Sequence, residues 1–197
     1  MPELAPINIS VGGIPTCPHP TAVVSFGGLD GDGHDHAKHR VPEQAISLLD
    51  LELLEAIAAE HDLGLVPGSL GENLTVSGVG VQRLGEGDRL AIHPDREDPV
   101  VLEITRVRPP CYVLDVLSTD FKRTLWNRIG MYARVVRPGP IEAGATIELD
   151  LACEGPRPIV RTPKEGCIDG ADVARHILAS HGLEPLPSAT NTTESIR

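Results

Sequence analysis

The chain has 197 residues, 41% hydrophobic but only 3% aromatic, with a formal net charge of -11 from 17 Lys and Arg against 28 Asp and Glu. That length supports one sizeable core built from Val, Ile, Leu and Ala, and the charge excludes general binding to nucleic acid, which needs a basic face. No segment has the make-up of a signal peptide or membrane span, and cysteines at 17, 111, 153 and 167 lack disulfide or zinc spacing, so reduced thiols in the cytoplasm are expected.

In chain order, Ile7-Asn8-Ile9-Ser10-Val11 and Thr21-Ala22-Val23-Val24-Ser25-Phe26 read as short strands closed by glycines, with a turn at Gly12-Gly13-Ile14-Pro15-Thr16. From Gly27 to Arg40 there are four glycines and no apolar period, which predicts a loop of a length that is usually functional or disordered. Ala45 to Leu49 forms a buried strand, and Asp50 is placed as N-cap of a helix that sets Leu51, Leu54, Ile57 and Ala58 on one face until Gly64 ends it. Val66 to Val76 is a glycine-punctuated loop entering a strand. Leu84 to Ile92 and Gly139 to Leu149 have the turn-then-strand pattern of barrel segments.

Val101 begins a strand that runs through Arg106 and Arg108 to Pro109-Pro110-Cys111. A second helix is predicted over 169–181, with Val173, Ile177 and Leu178 as its apolar stripe, and a frayed tail over 184–197. The sum is a mainly β fold with a few helices: a partly closed antiparallel β-barrel in one domain over 1–183, its core over 7–151.

Chemistry concentrates at three places. The twin prolines lock the backbone and cannot extend a ladder, so the Cys111 thiol is delivered stiffly at a sheet rim; neighbouring Arg106 and Arg108, alternating with Val107, favour its thiolate or grip an anion. The competing account is a small buried hydrophobe. His34, His36 and His39 share one loop and offer imidazoles that could converge on a divalent transition metal with Glu72 or Cys111, although ordinary solvated histidines give the same spacing. Glu72 and Asn73 follow Gly68 and Gly71, where backbone can approach a ligand closely; the plainer account is a turn. Lys122, Arg123 and Arg128 around Trp126 read as a solvated polar segment.

Gly28-Leu29-Asp30-Gly31-Asp32-Gly33-His34, Pro67-Gly68-Ser69-Leu70-Gly71-Glu72-Asn73-Leu74-Thr75-Val76-Ser77-Gly78, Gly87-Asp88-Arg89, Arg108-Pro109-Pro110-Cys111 and Gly130-Met131-Tyr132-Ala133-Arg134-Val135, in that order, resemble the MOSC family, of the stand-alone bacterial type. The resemblance spans roughly Ile7 to Leu151. It implies a β-barrel-like fold, a pterin-type molybdenum cofactor (molybdopterin) as the molecule handled, and Cys111 as a sulfur carrier or molybdenum ligand. Two departures stand out: Thr16 takes the place of a lysine common in the first turn, and Arg40-Val41 replaces a Gly-Gly pair.

The leading expectation is therefore an enzyme performing sulfur transfer or carbon–sulfur chemistry through Cys111, with Glu72 as a second catalytic residue and Asn73, Arg106 and Arg108 holding the cofactor. Its partners would be a small-molecule substrate or the pterin itself, and a sulfur-donor protein. One alternative is a metal-dependent lyase or hydrolase with the loop histidines, Glu72 and Cys111 as ligands. The other is a non-catalytic module that delivers a cofactor.

Overall fold

Strands with alternating apolar side chains must bury one face, and a sheet that curls onto itself does so without leaving an edge. The computed structural model of this protein describes residues 1–10, 16–33, 41–95, 97–111, 114–115, 117–118 and 121–152. In chain order it contains β1 (Glu3–Ile9), β2 (Cys17–His19), β3 (Thr21–Ser25), β4 (Gly28–Leu29) and β5 (Ile46–Asp50). Helix α1 (Leu51–His61) and β6 (Leu74–Ser77), β7 (Arg89–His93) and β8 (Val100–Val107) follow. The short helix α2 (Phe121–Thr124) then precedes β9 (Met131–Arg137), β10 (Gly139–Glu142) and β11 (Thr146–Asp150). The described residues divide into two compact units, 1–109 with 127–152, which carries the strands and α1, and 110–126, which carries α2.

In the first unit the order β11-β7-β8-β9-β5-β6-β1 returns to β11 where Glu3 pairs with Thr146, making a closed barrel of seven strands. The expected mainly β barrel is present, and the ring is complete rather than partly open. β2 extends it on the other half of β1, opposite Ile7 to Ile9, and β10-β3-β4 forms a smaller sheet. Ring pairings are antiparallel except β5 with β6, which is parallel. A hairpin cannot join parallel neighbours; α1 is the crossover that does. Among the described residues no helix is long and apolar enough to cross a membrane.

The interior follows the two-residue period: Leu90 and Ile92 of β7 are buried between Arg89, Ala91 and His93, and β9 buries Met131, Ala133 and Val135. β5 is buried at all five positions because α1 packs beside it with Leu54 and Ile57 enclosed. On the outside, Glu103 of β8 bonds Arg89 of β7 and Arg134 of β9, its registered neighbours, at 2.9 and 2.5 Å. Burial raises the Glu103 carboxyl, but the two guanidiniums outweigh it and hold the group below the usual carboxylate range.

Several boundaries differ from expectation. β1 starts at Glu3, four residues before the predicted strand. α1 ends with Asp62 in the left-handed conformation at φ 52°, ahead of Gly64, its N–H bonded to the Ala58 carbonyl. Asp50 occupies the N-cap position but does not cap α1; its carboxylate accepts from the Gly80 N–H at 2.9 Å, at the start of the 3-10 turn Val81–Arg83. β8 stops at Val107, so Arg108 lies beyond the strand. The predicted helix over 169–181 and tail over 184–197 lie outside the described residues.

Candidate functional site

The tail of the α1 crossover must turn back to enter β6, and it does so through Gly68 and Gly71, at φ 88° and 74°. At Gly68 space as well as conformation demands glycine: a Cβ there would lie 2.4 Å from the Thr16 hydroxyl oxygen and 2.6 Å from the Thr16 carbonyl oxygen. This turn delivers Glu72 into the interior, where its side chain is fully enclosed. Glu72 Oε1 accepts from the Gly68 N–H at 2.6 Å and the Thr75 hydroxyl at 3.0 Å, while Oε2 is buried with no partner among the described residues. The Asn8 amide nitrogen donates to the Thr75 hydroxyl at 3.0 Å, and the Asn8 amide oxygen, also buried, has no partner among the described residues. Thr16 closes the group by donating to the Gly68 carbonyl at 3.1 Å.

Asn73 works inside the fold. Its amide oxygen accepts from the Ser47 N–H at 3.0 Å and the Ser47 hydroxyl at 2.9 Å, and its amide nitrogen donates to Asp32 Oδ2 at 2.8 Å. That uses both acceptor positions and leaves one N–H for anything else. Asp32 Oδ1 accepts from the Ser10 N–H at 3.0 Å. The network thus ties the end of β1, the segment after β4, and the starts of β5 and β6.

The two arginines part company. Between Ile104 and Arg106 the β8–β9 register shifts, and Arg106 lies over the Tyr132 ring with its guanidinium carbon 5.7 Å from the centroid. Arg108, past the strand end, donates through Nη2 to the carbonyls of Leu70 and Gly71 at 2.8 and 2.9 Å, clamping the residues just before Glu72. Arg106 Nε and Arg108 Nη1 are buried and have no partner among the described residues. Arg128 forms a two-pronged pair with Glu60 at 2.6 and 3.1 Å, which lowers the Glu60 carboxyl and raises the guanidinium.

Cys111 belongs to the second unit, directly after the twin prolines; it is exposed and free, and its carbonyl accepts from the Leu114 N–H at 3.1 Å. The alternative of a thiol lost in core packing is therefore excluded. His34, His36 and His39 lie outside the described residues. Among the described residues no group of three or more His, Cys, Asp or Glu could hold a metal ion.

Glu72, Asn73 and Arg108 thus meet in one hydrogen-bonded neighbourhood of the first unit. Sequence reasoning missed Asn8, Thr16, Ser47 and Thr75, which complete it. The sequence carried little signal for them: Ile7 and Ile9 face the core, so the two-residue period puts Asn8 on the opposite face of β1, where its burial appears only in the structure.

The MOSC domain profile matches residues 35–148, more than half of the chain. The YUAD protein from Bacillus subtilis shares the fold with a TM-score of 0.64 at 22% identity, over 76% of this chain and 96% of that one. YiiM from Geobacillus stearothermophilus superposes with a TM-score of 0.60 at 18% identity, covering 92% of this chain and 85% of that chain. YiiM from Escherichia coli gives 0.58 at 22% identity, covering 92% and 87%. At such identities the likeness speaks for the fold alone. No curated protein matches the sequence. The MOSC domain is associated with the molybdenum cofactor. With the profile spanning most of the barrel, and solved structures sharing its architecture, the chain belongs to the MOSC domain family.

Proposed function

We propose that this protein handles a molybdopterin-like or other sulfur-bearing small molecule, and that Cys111 performs its sulfur transfer or carbon–sulfur chemistry. The observation that carries the reading is the exposed Cys111 thiol, held by two prolines where a strand has just ended. The donor types fit the cofactor. A soft thiolate suits a soft metal. Within the first unit, Arg106 Nε and Arg108 Nη1, without a partner among the described residues, are donors of the type that an acceptor-rich ring or a phosphate takes. When bound, such a cofactor would supply the metal chemistry. The chain's own part is to present the thiolate, hold the anion, and keep the loop before Glu72 in place through Arg108; Glu72 positions that loop.

In sulfur loading, the Cys111 thiolate attacks the outer sulfur of a donor persulfide. The new sulfur–sulfur bond forms as the donor's breaks, and the donor leaves as a thiolate, with no net oxidation. A cytoplasmic sulfur-donor protein is the proposed partner. Mass spectrometry of protein incubated with a persulfide donor should show one added sulfur atom on the peptide containing Cys111, lost in Cys111→Ser. An unmodified Cys111, together with full activity in the variant, would reject the role.

A further inference from the structure

Aromatic side chains are scarce here, with two Phe, two Tyr and one Trp in the whole chain. One Phe, Phe121, is fully buried; the other, Phe26, is 64% exposed at the tip of the β3–β4 hairpin, where Ser25 pairs with Gly28 and its hydroxyl donates to the Gly28 carbonyl at 3.0 Å. Phe26 is not an isolated surface residue. With Leu29, Val41 and Pro42 it forms the apolar wall of a cavity of about 330 Å³, and Ser25 and Asp32 supply polar groups.

The Asp32 carboxylate decides what the cavity accepts. The Ser10 N–H fixes one oxygen and the Asn73 amide fixes the other, so the group is oriented before any ligand arrives. Each oxygen retains acceptor capacity, since a carboxylate offers about four lone-pair sites. Among the described residues its hydrogen-bond donors are neutral, and no Lys or Arg lines the cavity. Against these described residues an anion would meet a carboxylate with no cation beside it, in a protein already carrying a net charge of -11. A planar cation meets the reverse: a π face at Phe26, favourable to positive charge, and an oriented acceptor for its N–H groups. The volume lies at the small end of the range for ligand pockets and suits one or two rings.

We infer that the cavity under the β3–β4 hairpin is a binding site for a small planar organic cation carrying N–H donors, of the amidinium or aminopyridinium class, lying against Phe26 with its donors on Asp32. The inference rests on this cavity alone and is independent of Cys111. Because Asp32 also holds Asn73, occupancy reaches the network around Glu72.

Benzamidine is the probe, with benzoate as a control of the same shape and opposite charge. In a ¹H–¹⁵N NMR titration of the full chain, benzamidine should move the amides of Ser25 to Asp32 saturably, and benzoate should not. Phe26→Ala, at an exposed hairpin tip, should keep the melting temperature and weaken benzamidine by about fivefold or more. Equal shifts from both probes, shifts mapping elsewhere, or an affinity within about twofold of the parent in Phe26→Ala would overturn the site. None of those results bears on sulfur loading of Cys111, so the two proposals fail separately.

Discussion

A carboxylate with no water around it must be answered by donors, and Glu72 and Asp50 are answered differently. Among the described residues Glu72 has two donors on Oε1 and none on Oε2, and an orphaned buried acceptor costs about 1–3 kcal/mol. Local violations of this kind are expected where a site's shape matters more than its stability. Asp50 is raised from 3.8 to about 6: burial is the main cause, the Glu52 charge adds to it, and the N–H groups of Gly80, Val81 and Gln82 oppose it. Between those two values the folded protein holds the proton more tightly than the unfolded chain does. Its contribution to stability is therefore full below the unfolded value and is lost as pH rises through about 6, a change on the order of 3 kcal/mol. Asp50→Asn keeps an acceptor for Gly80 and removes the titration. Urea unfolding from about pH 4 to about pH 7 should give the variant a flatter stability profile than the parent. Parallel profiles would show that Asp50 does not titrate there.

At the scale of elements, β9 can start only if Gly130 has no side chain. Its φ is 88°, and a Cβ would sit 1.8 Å from the Leu48 carbonyl oxygen of β5. Gly144 shares the conformation, at φ 89°, but faces open space. Gly144→Ala should cost about 1–2 kcal/mol of conformational strain, whereas Gly130→Ala should exceed about 3 kcal/mol because the β5–β9 pair must separate. Chemical denaturation of the two variants makes the comparison; equal losses would mean that the Leu48 carbonyl yields freely. The same pair shows what the sequence could and could not reveal. Leu90 and Ile92, or Leu54 and Ile57, announce their elements because their periodicity is local. β2 and β4 have three and two residues, one with a proline, and exist through partners that local pattern cannot name. The parallel pairing of β5 with β6 was legible in principle, since a helix between two strands is what a parallel neighbour requires. Of the site, glycine-punctuated Glu72 and proline-flanked Cys111 stood out by composition. The Thr16–Gly68 and Asn73–Asp32 bonds span 52 and 41 residues and could be found only in three dimensions.

For the whole molecule, closure into a ring converts seven strands' worth of exposed ladder groups into paired ones, leaving short β2 and the three-stranded sheet as the described edges. The ring is not equally strong all the way round. β8 and β9 match at six positions from Val101 to Val107, whereas β1 and β11 match only at Glu3 with Thr146. There the barrel is fastened by the bonds Leu4 N–H to Ala145, Gly144 N–H to Leu4 and Ile147 N–H to Pro2. A cylinder joined along so brief a seam should breathe by unzipping at that line, like a cuff held by its last button. In deuterium exchange the Leu4 and Ile147 amides should label well before those of Leu102 and Ile104, and uniform protection would mean that the hoop opens only as a whole.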